Sequence, residues 1–322
     1  MLRVLPSAQA GESALPVDGL QAIKDRIQEL KREKDIVVLA HNYQYPEVQE
    51  IADIRGDTLE LSIAATKVEQ QNILFCGVDF MAEMAKVLNP AKHVFIPDEK
   101  AHCPLAGMTD PEGVMLLKER YPNAAVVAYV NSSAAVKAIS DVSCASANAI
   151  AVVSSLKEKE IIFTPDQNFG QYLQRKLPEK KILIWPGYCH VHQNMTAESI
   201  LDLKRQHPNA EVLVHPECPP DVIAGSDFAY STGGMIKHCR DSPKGEFIVG
   251  TERELTYVLQ RNSPGKKFFV PPRAVCPTHK KITIRKVLDT METMSPEVLL
   301  PDDVIQGARR SLDRMIAVVG RE

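Results

Sequence analysis

Cys189, His190 and His192 fall within four residues at the end of an apolar run, in the stretch IWPGYCHVHQN (Ile184–Asn194). A thiol among imidazoles is either a nucleophile with its base or a metal ligand. The rest of the chain bears on the choice, because Cys103 and Cys276 lie 86 residues before and 87 residues after Cys189. A Cys189 nucleophile explains one of the three and leaves the other two without a purpose. Structural zinc takes four ligands drawn from local pairs such as C-x₂₋₄-C, which this sequence lacks, although three thiolates with His192 remain a zinc option. Cubane iron–sulfur clusters are held by thiolates, normally four. With three, one iron stays open to an oxygen or nitrogen of a substrate and acts as a Lewis acid. A cluster that only moves electrons has little need of a missing ligand, so three thiolates point to a non-redox step such as loss of water.

The elements that must bring these thiols together are legible as a repeat. DIVVLAHNY at Asp35, AAVVAYVNS at Ala124 and AEVLVHPEC at Ala210 are β-branched runs ending in polar residues, each a buried strand with chemistry at its carboxyl tip. His41, Tyr129 and His215 sit at those tips, 88 and 86 residues apart. Aspartate–hydroxyl pairs follow in the same register: Asp53/Thr58, Asp141/Ser146 and Asp227/Thr232. Second strands (NILF, EIIF, EFIV), helices closing at Pro90, Pro178 and Pro264, and third strands (HVFIP, ILIWP, KFFVP) precede the three cysteines. Each copy reads strand–helix–strand–helix–strand, so the expected fold is α/β: three pseudo-symmetric three-layer αβα units with small parallel sheets around a central active site. The divisions fall at 1–35 (a leading helical segment with Leu20, Ile23, Ile27 and Leu30 on one face), 36–123, 124–209, 210–276 and 277–322, which carries a closing helix through Ile305, Ala308, Leu312 and Met315.

Ligands of parallel sheets gather at the carboxyl ends of the strands. Asp53, Asp141 and Asp227 are expected where helices begin, and the hydroxyls of Thr58, Ser146 and Thr232 there, with free backbone N–H groups, suit anionic oxygens. The bland alternative is a plain helix cap. In STGGMIK, Gly233 and Gly234 let backbone approach a ligand, and Lys237 adds a positive charge unless it is merely solvated. His215 and Glu217, in HPE, combine an imidazole and a carboxylate at one tip, and Tyr43 and His192 are further proton-transfer candidates.

The bulk properties exclude some partners. With 322 residues, a net charge of −3 and a pI near 6.3, the chain has no overall basic field for nucleic acid or an anionic membrane. No apolar run approaches the roughly 18–20 residues of a membrane span. The opening MLRVLPSAQAGESALPVDG has too short an apolar stretch for a signal peptide. Seven cysteines without a local pair argue for a reducing compartment, hence the cytoplasm. Cys76, Cys144, Cys218 and Cys239, outside the repeat register, read as small buried hydrophobes.

The stretches LAHNYQYPEVQEIAD, GDTLELS, CGVDFMAEMAKVLNP, AYVNSSAAVKA, SCASANA, GYCHVHQ, VHPECPPDV and STGGMIK together resemble the quinolinate synthases, iron–sulfur enzymes of de novo NAD biosynthesis. The resemblance implies three pseudo-symmetric αβα domains and a [4Fe-4S] cluster on Cys103, Cys189 and Cys276. It implies condensation of iminoaspartate with dihydroxyacetone phosphate to quinolinate, phosphate and two waters. Substrate-binding roles then fall on His41, Thr58, Tyr129, Asn131, Ser146, His215, Glu217 and Thr232, and proton transfer on Tyr43, His192 and Glu217. L-Aspartate oxidase or aspartate dehydrogenase is implied as the source of iminoaspartate. Thr58 stands where the family often has serine. His279, in CPTHKK, stands where relatives of this short form usually have methionine. Cys276 is alone where some members carry CxxCxxC, so no disulfide is expected there. Two rival readings are a zinc hydrolase built on Cys189 and its histidines, and an iron–sulfur sensor or anion-binding module.

Overall fold

Three four-stranded sheets, every pairing parallel, make up the framework. The structure, a computed structural model, describes residues 17–319, so the reading of the first residues as lacking a signal peptide lies outside the described residues. The first sheet holds β1 (Ile36–His41), β2 (Ile54–Gly56), β3 (Asn72–Cys76) and β4 (His93–Phe95) in the order β2-β1-β3-β4. The second holds β5 (Ala125–Tyr129), β6 (Val142–Cys144), β7 (Glu160–Thr164) and β8 (Lys181–Ile184) in the order β6-β5-β7-β8. The third holds β9 (Glu211–Val214), β10 (Phe228–Ala229), β11 (Glu246–Gly250) and β12 (Lys267–Phe269) in the order β10-β9-β11-β12. Helices cover the sheets, giving three pseudo-symmetric αβα units. The long inner strands are apolar almost throughout because a parallel sheet is covered on both faces.

The repeat pattern foretold three strands per unit, and the structure has four. The extra strands β2, β6 and β10 are edge strands of two or three residues, IRG, VSC and FA, too short to show any periodicity. A clasp holds each of them, and it is made by the aspartates expected at helix starts. The carboxylates of Asp53, Asp141 and Asp227 accept from the backbone N–H of Val38, Val126 and Val212, each at 2.8 Å. Their own N–H groups donate to the carbonyls of those same residues at 2.9, 3.0 and 3.0 Å. These aspartates therefore join edge strand to inner strand and cap no helix. The helices begin afterwards, at Thr58 in the first unit and Thr232 in the third.

The terminal helices pack as their periodicity predicts. In the helix Val17–Glu33, Ile23, Ile27 and Leu30 are buried, and it lies against the helix Ile284–Thr293. The closing helix Asp302–Val319 covers the second unit through buried Ala308, Leu312 and Met315. Gly307 permits the close approach, since a Cβ there would fall 2.7 Å from the carbonyl oxygen of Ala138. The first and second units share one apolar core with both terminal helices, whereas the third has a smaller core of its own and a further one that joins it to Val191, Met195 and Ile200 from the end of the second repeat. No helix among the described residues is long and apolar enough to cross a membrane.

Candidate active site

His41 ends β1, Tyr129 ends β5 and His215 follows β9, so the first inner strand of each unit delivers one side chain to a common centre. That centre is a cavity walled by all three units. Every site residue named from the sequence lines it except Lys237. Lys237 is exposed on the helix that starts at Thr232, which matches the solvated alternative weighed for it.

Cys103, Cys189 and Cys276 line this cavity as free thiols. Each is held in the same way. The backbone N–H of Cys103 donates to Asp79 at 3.0 Å, that of Cys189 to Asp166 at 3.0 Å and that of Cys276 to Glu252 at 3.3 Å. These acids sit just after the second inner strand, in register with one another, 87 and 86 residues apart. The shared register of these acids is the sequence signal that marks them as partners of the thiols. Burial pushes all three thiols up; Cys276 adds to the rise at Cys103, and Cys276 and Cys103 both add to it at Cys189. Such thiols ionise only when a cation compensates, which is what metal binding provides.

Two sets of possible metal donors face the cavity. Cys189, His192 and Glu217 bring their ligand atoms within 4.8 Å of one another, and Cys103 and Cys276 do not join that set. A single tetrahedral zinc keeps its thiolates about 4 Å apart. The three thiols, one per unit on the same cavity wall, do not all lie within 4.8 Å of one another, and thiolates so placed are the donor type of a cluster carrying several metal ions.

The imidazoles are fixed as neutral hydrogen-bond donors. Nδ1 of His41 accepts from the N–H of Tyr43 at 3.2 Å, and Nδ1 of His215 accepts from the N–H of Glu217 at 3.3 Å. The ring proton of each therefore resides on Nε2. Burial, reinforced at His41 by His215, drives both pKa values down to about 3.

A chain of hydrogen bonds crosses between the units. The Tyr43 hydroxyl meets Thr251 Oγ1 at 2.6 Å, and Thr251 Oγ1 meets His192 Nε2 at 2.9 Å. His192 Nδ1 lies 2.7 Å from Glu217 Oε2. Glu217 Oε1 accepts from the Tyr129 hydroxyl at 2.6 Å and from Asn131 Nδ2 at 3.2 Å. Since an ionised carboxylate only accepts, His192 donates through Nδ1, which leaves Nε2 to accept from Thr251 and Thr251 to accept from Tyr43. Burial opposes the charge on Glu217, but the neighbouring His215 and His192 and these donors outweigh it, holding the carboxyl below its usual range. Burial, with help from Glu217, keeps both tyrosines protonated far above their ordinary pKa. Thr251 was not anticipated, and nothing in the repeat could have found it: the equivalent positions are Val78 and Pro165.

Two helix starts complete the wall. Asp57 caps the helix Thr58–Ala65, accepting from the N–H of Glu60 at 2.9 Å, while Glu60 reaches back to the N–H of Asp57 at 2.7 Å. The Asp57 carboxylate also faces the backbone of Gly233 in the third unit, where a Cβ would stand 2.9 Å from its Oδ2. Gly233 thus lets two units meet. Burial and Glu60 raise Asp57 to about 6. Thr232 opens the helix Thr232–Asp241, and its buried hydroxyl has no hydrogen-bond partner among the described residues, which suits a ligand oxygen.

Known proteins resemble the chain over most of its length. The family model described as quinolinate synthetase A protein matches residues 25–317. The chain is 48% identical over 297 residues to the quinolinate synthase of Geobacter metallireducens, covering 92% of this chain and 97% of that protein. It is 46% identical over 303 residues to that of Methanoregula boonei, covering 94% and 100%. To that of Clostridioides difficile it is 44% identical over 291 residues, covering 90% and 96%.

Proposed function

The chain belongs to the quinolinate synthetase A family, and on that premise we propose that it condenses iminoaspartate with dihydroxyacetone phosphate to give quinolinate, phosphate and two waters. The observation that carries this reading is the meeting, in one cavity, of three thiols, two neutral imidazole donors and a proton relay. Cys103, Cys189 and Cys276 would hold a [4Fe-4S] cluster. When bound, that group supplies an iron with an open position, a Lewis acid for a departing oxygen.

The chain's own residues account for the rest. One substrate is a dicarboxylate and the other a phosphate ester, so the cavity must bind several anionic oxygens. Nε2–H of His41 and of His215, the hydroxyls of Thr58, Ser146 and Thr232, and the helix starts beneath Thr58 and Thr232 are suited to them. Condensation and dehydration need protons moved at several atoms. Tyr43 is a proton donor at one wall, Thr251 links it to His192, and Glu217 steadies the imidazolium whenever the proton rests there. Tyr129 and Asn131 hold Glu217 in place for that task. Enclosure of both reactants lowers the barrier further, by up to about 7–11 kcal/mol in well-oriented systems. We assign the reaction to the cytoplasm, consistent with free cysteines, and its imine substrate to an oxidase or dehydrogenase acting on L-aspartate.

Protein purified without oxygen should contain iron and sulfide and, given both substrates, form pyridine-2,3-dicarboxylate. Cluster-loaded protein that forms none would sink the synthase reading and favour a sensor. The compact Cys189–His192–Glu217 set supports a second reading, a zinc hydrolase, which one zinc per chain and no sulfide would favour.

A further inference from the structure

His279 is the repeat counterpart of His192: each is the third residue after its unit's cysteine, a position occupied by Ala106 in the first unit. The two imidazoles are used differently. Both nitrogens of His192 are engaged, by Glu217 and by Thr251. His279 is equally buried and lines the same cavity, with its ring stacked on His41 at 5.1 Å and edge-on to Tyr43 at 5.6 Å. Its Nδ1 lies 2.9 Å from Nε2 of Gln44. An amide nitrogen can only donate, so Nδ1 accepts and the ring proton sits on Nε2. Among the described residues the one hydrogen bond seen for this ring is that at Nδ1, and Nε2 faces the cavity that the residue lines.

The ring is not free to turn away. Gln44 is wholly buried, and its backbone carbonyl accepts from Gln49 Nε2 at 2.8 Å. Lys280, the next residue, donates to the Tyr43 carbonyl at 2.7 Å and pairs with Glu252 at 3.0 Å. His279 is thus fixed between the cysteine loop of the third unit and the strand tip of the first, beside His41 and with the same tautomer.

We propose that Nε2–H of His279 is a further substrate-binding group of this site, donating to an anionic oxygen, carboxylate or phosphate. This rests on the synthase reading and extends it to a residue outside the anion-binding set. His41 and His279 then form a stacked pair of neutral donors serving one substrate end, without adding a charge that the buried cavity would have to solvate.

Two substitutions separate binding from scaffolding. In His279→Asn the carboxamide can still accept from Gln44 but offers nothing at the Nε2 position. In His279→Gln the longer side chain can place an N–H there. Calorimetry on cluster-loaded protein, with dihydroxyacetone phosphate and with pyridine-2,3-dicarboxylate as separate probes, reads the difference. His279→Asn should weaken one of the two about 10- to 100-fold, the loss expected for a hydrogen bond to a charged group. His279→Gln should recover most of that loss, and iron and sulfide content should stay at the parent level in both. The probe affected tells whether a phosphate or a carboxylate is held. Should His279→Asn fail to fold, His279→Phe keeps the stacked ring and must show the same weakening. Parent-like binding of both probes by folded His279→Asn or His279→Phe, or equal losses in the Asn and Gln variants, would overturn the proposal. If the parent protein itself binds neither probe and forms no product, the synthase reading fails instead.

Discussion

The two ends of the three sheets have diverged to very different degrees. Near the amino ends of the edge strands the units are copies: Asp53, Asp141 and Asp227 make the same clasp with the same geometry. At the carboxyl ends they differ. The first and third units end in His41 and His215 with one tautomer, while the second ends in Tyr129, whose hydroxyl is donated to Glu217. The relay through Thr251 has no counterpart in the other units, and only the second and third place a histidine three residues beyond the cysteine. What repeats is what each unit needs in order to fold. What does not repeat is what a single asymmetric reaction needs from a threefold frame. The cysteines and their acids lie between these extremes, repeated in placement yet joined in one shared task.

The largest effects test that shared task. Cys103→Ala, Cys189→Ala and Cys276→Ala should each abolish product formation and reduce bound iron and sulfide together, to similar extents. Cys239→Ala, in the buried core of the third unit, should leave both largely intact. If Cys239→Ala were as damaging as the other three, the equivalence drawn from the repeat would be lost. Next comes the asymmetric machinery. Glu217→Gln should keep its cluster and lose about 10²–10⁴ in kcat, the range for a group central to proton transfer. Unchanged kcat would remove Glu217 from the relay.

Much of this was readable in the sequence because repetition amplifies weak signals. Neither Cys103 nor Pro90 is informative alone, yet the shared register fixed the inner strands, the tips and the three thiols. Two kinds of feature escaped. The edge strands are too short for periodicity, so their aspartates were given to helices. Thr251 occupies a position that the repeat fills with Val78 and Pro165, and its role arises only from contacts between units. His279 was visible as a departure from the family, but the open side of its ring was not.

Acidity distinguishes the tips by a smaller amount. Buried neutral histidines bind fewer protons folded than unfolded, so stability rises with pH between the folded and unfolded pKa values. For His41 and His215 that window runs from about 3 in the folded protein to about 6.5 unfolded. The stability they lend is complete above the upper limit and is lost as pH falls, by about 2 kcal/mol for each at pH 5. Tyr129, raised by burial, contributes nothing in this range. Denaturant unfolding at pH 7 and pH 5 should show the drop, reduced by roughly one share in His41→Phe. Asp57, raised to about 6, lends stability as pH falls over the same range in parent and variant alike, so an equal pH dependence in parent and His41→Phe is the result that would mean this ring is not held neutral.

The smallest effects belong to the end that is repeated. Replacing Asp53, Asp141 or Asp227 by alanine removes one hydrogen bond from a carboxylate to an inner strand, worth about 1.5–3 kcal/mol at most, with less expected at partly exposed sites. The three losses should be similar but ordered by their surroundings. Asp53 also pairs with Lys31 at 2.9 Å, and Asp141 lies 3.9 Å from Lys118, exposed contacts that add about 0.2–1 kcal/mol where they add anything. Asp53→Ala should therefore cost the most and Asp227→Ala the least. Asparagine keeps one acceptor oxygen and should restore part of each loss. Val38 lies three residues before His41, about 10 Å along the strand, so KM and kcat of the folded variants should stay near parent values. A clasp variant that kept its stability and lost turnover would place chemistry at the repeated end and break the division between the two.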